Sequence, residues 1–481
     1  MLPKRLIVTL ASLAIAASAS SAEETDTIGL ESLIQLALQR DFQIRIVEID
    51  RDIARQTARA NAGYWDPAVS ARHSDGALGG GGGAASSFNS QEGHVTSASI
   101  SQNLPTGGNV VLDAATGKFE NEFGDAYATN AGIALNQPLL KNFGGAESLR
   151  RLRIAKRDYE QTEQSFKLQA IATVTNAITL YNQVALRKDS LRVAEQSREL
   201  GRKLVEDTRK RAELGTVEAR GVEVAETRLS QREANVVQQE RLYYEALNEL
   251  KRFVSNESIA LVEWQVTVGE IPEPTPWSGD LKEDFGYALL NRPDYLQSLI
   301  EIQKAEIQVK AGHSQALPQL DLTARYFRTS FNDSFTSSYK GLADAEDDLF
   351  VGVIFSRPLL NITGRAQRAS ASLFNDRAHL VEQQLKQSIA IQLDNAARRI
   401  RTEAQSRQLA REGREFAERS LEAEERKLNL GQSTAYFVLE AQEDLTAAQV
   451  RELEAIANYN IAVARYYQVK GSTLDQVGIQ L

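Results

Sequence analysis

The sequence predicts an α+β membrane protein in which short amphipathic strands alternate with very long helices. Three observations support this class: alternating segments of suitable length, two long stretches without proline, and one strand-to-helix junction that occurs twice. The junction reads NQPLLKNFGG from Asn136 and SRPLLNITGR from Ser356. Each copy follows an alternating segment and opens a proline-free stretch, so we expect two internal structural repeats in one chain.

Six segments alternate between apolar and polar residues, which places the apolar side chains of each on one face. Runs of about ten residues with one apolar face suit strands that cross an outer membrane. An amphipathic sheet of a soluble protein remains the alternative on pattern alone. The segments are Asp66–His73, His94–Leu104, Asn109–Lys118, Tyr127–Asn136, Leu320–Tyr326 and Leu349–Phe355.

The proline-free stretches cover residues 139–271 and 359–481, and glycine is rare in both. Proline breaks helices and glycine weakens them, so both stretches are predicted to be helical. An imperfect 3–4 spacing of apolar residues from Leu149 onward is typical of a coiled-coil seam. A helix from about Ala146 to Leu214 would be roughly 100 Å long at 1.5 Å per residue.

Each helical stretch contains one predicted turn, in RAELGTVEAR and in KLNLGQSTAY. Gly215 and Gly431 suit the left-handed residue that follows a helix. Thr216 and Ser433 are then predicted to cap the next helix with their hydroxyl groups. Each half is therefore expected to form a helical hairpin whose tip lies far from its base.

The N-terminus resembles a secretory signal peptide over residues 1–22. Lys4 and Arg5 give the positive region, Leu6–Ala17 the apolar region, and Ser20–Ala22 the small-residue cleavage site. The apolar region is too short to span a bilayer as a helix. We therefore expect export and a mature chain that begins at Glu23.

Composition excludes several classes of function. The formal net charge is −9, and an acidic chain has little with which to neutralise nucleic-acid phosphates. No cysteine is present, which excludes disulfides, thiol catalysis and cysteine metal sites. The four histidines, at positions 73, 94, 313 and 379, show no metal-ligand spacing, and no nucleophile motif is found. The sequence predicts no enzyme, no cofactor and no metal site.

The predicted domain organisation follows the duplication. After the signal peptide, residues 23–254 form a first repeat of helix, strands and long hairpin. Residues 255–279, which contain IPEPTPW, form a proline-rich linker, and residues 280–481 form the second repeat.

The order of helix, strands, PLL junction and long helical hairpin, stated twice behind a signal peptide, resembles the TolC family of outer-membrane efflux proteins. The NQPLLKNFGG junction and the two LG tips, continued by VEVAE and VLEAQ, carry the resemblance. It implies a homotrimer that forms one β-barrel in outer-membrane lipid, continuous with a periplasmic α-helical barrel. It also implies a passive channel for efflux or type I secretion, docked to a periplasmic adaptor and an inner-membrane transporter.

The resemblance and the turn pattern indicate candidate functional residues. In the family, acidic residues six and nine positions after the second tip glycine line the periplasmic constriction; here those positions are Phe437 and Glu440. Pro138 and Pro358 are predicted to end the strand ladder at the membrane surface. The predicted adaptor-docking tips are Leu214, Gly215, Thr216, Leu430, Gly431 and Gln432.

The number of strands departs from the family, which supplies two per half, because the first half here offers four. Ala98–Leu104 and Val110–Thr116 either enlarge the barrel or form an extracellular hairpin. Single-chain barrels have at least about eight strands, so four to six strands require copies of the chain to share one barrel. A diffusion porin and a periplasmic adaptor remain the alternative functions.

Overall fold

The computed structural model describes residues 26–76, 93–121, 124–214, 219–254 and 264–479. The predicted signal peptide, most of the glycine-rich segment after Asp75, and the predicted tip residues Gly215 and Thr216 lie outside these ranges.

Helices and strands alternate along the chain in the order that the duplication predicts. The strands are β1 (Asp26–Ile28), β2 (Ala68–Gly76), β3 (Gly93–Asn103), β4 (Asn109–Asn121), β5 (Gly124–Pro138), β6 (Val266–Val268), β7 (Gln319–Asn332) and β8 (Asp348–Ser356). The helices are α1 (Leu30–Arg40), α2 (Phe42–Ala62), α3 (Ala146–Glu213), α4 (Ala219–Val254), α5 (Leu281–Asn291), α6 (Pro293–Gln315), α7 (Phe335–Gly341), α8 (Ile362–Asn429), α9 (Ala435–Lys470) and α10 (Thr473–Gln476).

All six alternating segments form one antiparallel sheet in the order β2-β3-β4-β5-β7-β8. The first half supplies four strands and the second half two. The halves meet where β5 pairs with β7, in a register that sets Ile133 opposite Tyr326. The turn at 104–108 lies against the strand-to-helix junction, because a side chain at Gly107 would collide with the Asn142 carbonyl. The β3–β4 hairpin therefore widens the sheet, and its turn lies at the end where the long helices begin.

The two faces of the sheet differ in polarity. One face exposes a band of large apolar side chains, with Val69 77% and Val353 62% exposed. The opposite face carries Ser70 and Asn130, together with an Asp113–Arg325 ion pair of 3.7 Å. Alternation therefore places the exposed large apolar side chains of β2 to β5 on one face, whereas β8 exposes apolar side chains on both faces, Phe350 and Ile354 among them.

The helical parts of the two repeats match in length. The helices α3 and α8 each have 68 residues, and α4 and α9 each have 36. The predicted helix from Ala146 to Leu214 is confirmed by α3 almost to the residue. No helix in the described ranges is both long enough and apolar enough to cross a membrane.

Each long hairpin is held by an apolar core at a distance from the sheet. At the first hairpin, Leu33 of α1 and Val268 of β6, a strand within the predicted linker, pack on Val174 and Val184 of α3 and on Leu250 of α4. The second repeat buries side chains from α5, α6, α8 and α9 in an equivalent cluster. That cluster contains Ala288, Tyr295, Ile389, Leu393, Ile400, Tyr459 and Tyr466.

Candidate functional site

The second tip ends α8 in a complete Schellman motif. Gly431 has φ +73°, its N–H donates to the Leu428 carbonyl at 3.1 Å, and the Gln432 N–H donates to the Lys427 carbonyl at 2.8 Å. These bonds satisfy carbonyl groups that the end of a helix otherwise leaves unpaired. Leu430, at the outermost point of the turn, is 73% exposed.

The cap predicted for the next helix is wrong. The N-cap of α9 is Thr434, whose side chain makes no capping bond. The Ser433 hydroxyl instead donates to Glu424 Oε2 at 2.8 Å, across the turn to α8. Bonds from Lys427 and Ser433 lower the pKa of Glu424 below its usual value. Ser433 thus ties the two arms of the tip together.

The first tip lies beside the second. Leu214 is the C-cap of α3 and is 79% exposed, while Gly215 and Thr216 lie outside the described residues. The Arg211 guanidinium donates to Asn429 Oδ1 at 3.5 Å, from one tip to the other. A groove of about 910 Å³ runs between the tips. The structure therefore places both predicted docking leucines at the same exposed end of the protein.

The two hairpins are packed together just behind the tips. Leu439 of α9 is 3% exposed and contacts Val205 of α3 and Ala225 of α4. Leu204 packs on this cluster and also on a second one that contains Val438 and Leu421. A movement of the second hairpin away from the first would expose this apolar contact.

The predicted constriction residues lie on the opposite, exposed side of α9. Phe437 and Glu440 are both exposed, and their spacing of three puts them on one helix face. Asp444, one turn further, is exposed on the same face, which sequence reasoning missed. Neither carboxylate forms an ion pair with another described residue. This face therefore carries an aromatic ring followed by two uncompensated negative charges.

A buried arginine connects the hairpins above the tips. Arg232 of α4 is only 7% exposed, and its Nη1 donates to the Ser197 carbonyl at 2.9 Å and to Gln442 Oε1 at 3.0 Å. Burial lowers the pKa of this arginine below its usual value. Gly201 of α3 leaves the space that the side chain fills. Sequence reasoning missed this contact because it joins residues of three separate helices.

The two strand-to-helix junctions converge on the C-terminal end of α6. Asn142 and Asn361 both adopt left-handed backbone conformations, with φ 65° and 43°. The Asn142 N–H donates to Ser314 Oγ at 2.9 Å, and Asn361 Nδ2 donates to the Ala316 carbonyl at 2.8 Å. Sequence reasoning missed this turn, although the asparagine that closes PLLKN and PLLN could have indicated it, since asparagine tolerates left-handed backbone.

The predicted junction prolines lie at these sites. Pro138 is the last residue of β5, and Pro358 lies two residues after the end of β8. Backbone pairing nevertheless continues beyond Pro138, because the Leu139 N–H donates to the Leu320 carbonyl at 2.7 Å. Pro138 therefore does not end the pairing by itself; the chain leaves the sheet at the left-handed asparagine.

The sequence of this chain matches a known protein family along most of its length. A family model described as outer membrane efflux protein matches residues 33–255 and 286–472. The chain belongs to the outer membrane efflux protein family. This match confirms the resemblance to the TolC family, and it assigns the protein to efflux in the outer membrane of Gram-negative bacteria.

Individual relatives of this efflux protein agree with the assignment. It is 25% identical over 397 residues to outer membrane efflux protein BepC of Brucella suis biovar 1 (strain 1330), covering 76% of this chain and 78% of BepC. The outer membrane channel CmeC of Campylobacter jejuni has a TM-score of 0.67 at 16% identity, over 92% of this chain and 86% of CmeC. The outer membrane protein VceC of Vibrio cholerae has a TM-score of 0.69 at 15% identity, over 92% and 96%. The efflux protein therefore has the fold of these channels.

The histidines of the efflux protein are less scattered than the sequence indicates. Pairing of β2 with β3 brings His73 and His94 to the same carboxylate, with His73 Nε2 3.1 Å from Asp75 Oδ1 and His94 also in contact with it. In the described ranges no group of three or more potential ligands is placed to hold a metal ion. This cluster lies at the end of the sheet away from the long helices.

Proposed function

We propose that three copies of this efflux protein form one closed barrel in the outer membrane, continuous with a helical tunnel in the periplasm. Six strands per chain are too few for a single-chain barrel, which needs about eight. The outer edges of β2 and β8 are unpaired within the described part of the chain. The six strands alternate in direction, so β8 of one copy can pair antiparallel with β2 of the next, and a ring of copies closes without a parallel pair.

The channel conducts passively and belongs to a tripartite efflux or type I secretion system. An inner-membrane transporter supplies the energy, and a periplasmic adaptor docks at the exposed tips around Leu214 and Leu430. The position of both tips at the same exposed end of the protein supports this proposal. A diffusion porin, the runner-up, would give the two 68-residue helices no role. An adaptor would not need a six-stranded sheet with an apolar face.

The proposed division of the mature chain follows the repeats. Residues 23–254 and 280–481 form the repeats, and residues 255–279 form the linker. The equal lengths of corresponding helices support this division.

Purification from the outer-membrane fraction tests the assembly. We expect the mature chain to begin at Glu23 and to form a complex whose mass is that of three chains and which dissociates on heating. Intact mass measurement in detergent and N-terminal sequencing read out both points. A monomer in the soluble periplasmic fraction would contradict the proposal.

Replacing Gly431 with valine should impair export while the trimer still assembles. At φ +73° a β-branched side chain is strained by about 1–2 kcal/mol, which distorts the tip but leaves the sheet untouched. The measurement is rescue of substrate export in a deletion strain, beside the trimer yield. Gly431→Asn is the matched control, since asparagine tolerates this backbone and should retain export. Full export by a Gly215→Val, Gly431→Val double variant would contradict docking at the tips. A diffusion porin, which needs no adaptor, would give that result.

A further inference from the structure

The short helix α7 lies on the apolar face of the sheet, near the end away from the long helices. Its Ser338 is fully buried, and the hydroxyl contacts Thr129 Oγ1 at 2.8 Å and the Ser330 carbonyl at 3.1 Å. A side chain at Gly341 would collide with Ser330 Oγ, so the end of the helix sits close against β7. The helix is thus fastened to β5 and β7.

A groove of about 800 Å³ runs between this helix and the sheet. Its floor is a row of three alanines, Ala98, Ala114 and Ala131, which lie opposite one another on β3, β4 and β5. Phe335 and Tyr339 form part of its wall. Small residues under large aromatic ones leave an apolar slot on the face of the sheet that we propose meets lipid.

Along this face, the side chains of β3, β4 and β5 change from large and apolar to small and then to hydroxylic. Nearer the long helices, the row beside the alanines is large and apolar, formed by Ile100, Leu112 and Ile133. On the other side, the row is hydroxylic, and the Thr116 and Thr129 hydroxyls lie 3.0 Å apart. The groove therefore occupies the boundary between an apolar and a polar zone.

The depth of this boundary matches the outer surface of a bilayer. From Pro138 to Thr129, about nine residues of β5 cover about 30 Å at about 3.4 Å per residue. For a strand tilted about 45°, this is about 22 Å of depth, close to the apolar band of about 25 Å in outer-membrane barrels. With the helical tunnel in the periplasm, the groove faces the outer leaflet.

One positive charge stands at this groove without a partner among the described residues. Lys340 is the only charged residue of its described lining, and it forms no ion pair with a described carboxylate. Arg328 of β7, in contrast, forms an ion pair of 2.5 Å with Asp347. A lysine beside an apolar slot at headgroup depth favours a ligand that has both an acyl chain and an anionic group.

We propose that this groove binds an anionic, acylated lipid of the outer leaflet, with an acyl chain over the alanine floor and a phosphate beside Lys340. The inference rests on the proposed function, because it requires the apolar face of the sheet to meet the membrane. Its chemistry is separate from export: it is a lipid site on the outside of the channel.

Native mass spectrometry of the detergent-solubilised oligomer tests the site. The probes are a bisphosphorylated, acylated glucosamine disaccharide, phosphatidylcholine and inorganic phosphate, each titrated separately. We expect the bisphosphorylated lipid to bind, phosphatidylcholine to bind more weakly and inorganic phosphate to bind not at all. Lys340→Gln should weaken binding of the anionic lipid about fivefold, the effect of one lysine at a charged lipid surface.

Two further variants test whether the lipids occupy the groove and whether the effect is specific to Lys340. Ala114→Phe, which fills the floor of the groove, should reduce binding of both lipids, whereas Lys282→Gln on α5 should change neither. Equal binding by wild type and Lys340→Gln, or equal binding of the zwitterionic and anionic lipids, would overturn the proposal. Failure to isolate an oligomer from the outer membrane would instead contradict the proposed function, since the wild-type oligomer is required before any lipid is added.

Discussion

Replacing Glu440 with lysine should reverse or abolish a cation preference of the channel. Glu440 and Asp444 lie on one exposed face of α9 without ion-pair partners in the described ranges. If three copies of this face meet at the periplasmic end, their carboxylates surround the pore and attract cations. The reversal potential across a planar bilayer under a KCl gradient measures the preference.

Conservative variants show how the two carboxylates share this role. Glu440→Gln should weaken the cation preference, and adding Asp444→Asn should remove most of what is left. Glu245→Gln, which neutralises an exposed carboxylate paired with Arg241 on α4, is the matched control and should leave selectivity unchanged. Unaltered selectivity in Glu440→Lys would place the constriction elsewhere.

Replacing Gly132 with valine should prevent the sheet from assembling. A Cβ at this position would lie 2.7 Å from the Tyr326 carbonyl oxygen and 2.8 Å from Phe327 Cβ, on the strand that joins the two repeats. The backbone of β7 would have to move away, at the expense of ladder hydrogen bonds. Overpacking of this kind costs about 1–3 kcal/mol or more, and the proposed trimeric barrel would contain three copies of the variant strand. Loss of the heat-dissociable oligomer on a gel is the expected readout.

Gly413 provides the control for this substitution. It lies in α8, and a methyl group added at its Cα would have no neighbouring atom within 4 Å, so Gly413→Ala fits without a collision. Alanine in an exposed helix should be neutral or stabilise by at most about 1 kcal/mol. An oligomer of Gly132→Val with unchanged heat resistance would show that β5 and β7 do not pair as described.

Local patterns were sufficient to predict most of the fold. The alternation of apolar and polar residues predicted all six strands of the sheet, and the absence of proline predicted α3 and α8. Both patterns depend only on residues within a single strand or helix. The Ser433 cap was wrong for a tertiary reason: the Glu424 carboxylate of the preceding helix offers its hydroxyl a charged acceptor. The β3–β4 hairpin could not be placed by sequence, since alternation does not say which sheet a strand joins.

The candidate site was less accessible to sequence reasoning. Turn chemistry located the tip at Gly431, but Phe437 and Glu440 came from family resemblance alone. Arg232 gave no signal, because a surface arginine and a buried one look alike in a helical pattern. Its burial depends on Gly201 of α3 and Gln442 of α9, which meet only when both hairpins have formed.

In the proposed trimer, the edges of β2 and β8, which are unpaired within the described part of the chain, have a consequence for biogenesis. A lone chain in the periplasm would present two rows of free backbone donors and acceptors, which are templates for mispairing. The long helices satisfy their hydrogen bonds internally and can form early, whereas the proposed barrel closes only when neighbouring copies arrive. Sheet closure and chain association then become one concentration-dependent event, so the yield of channels falls more steeply than the supply of chains.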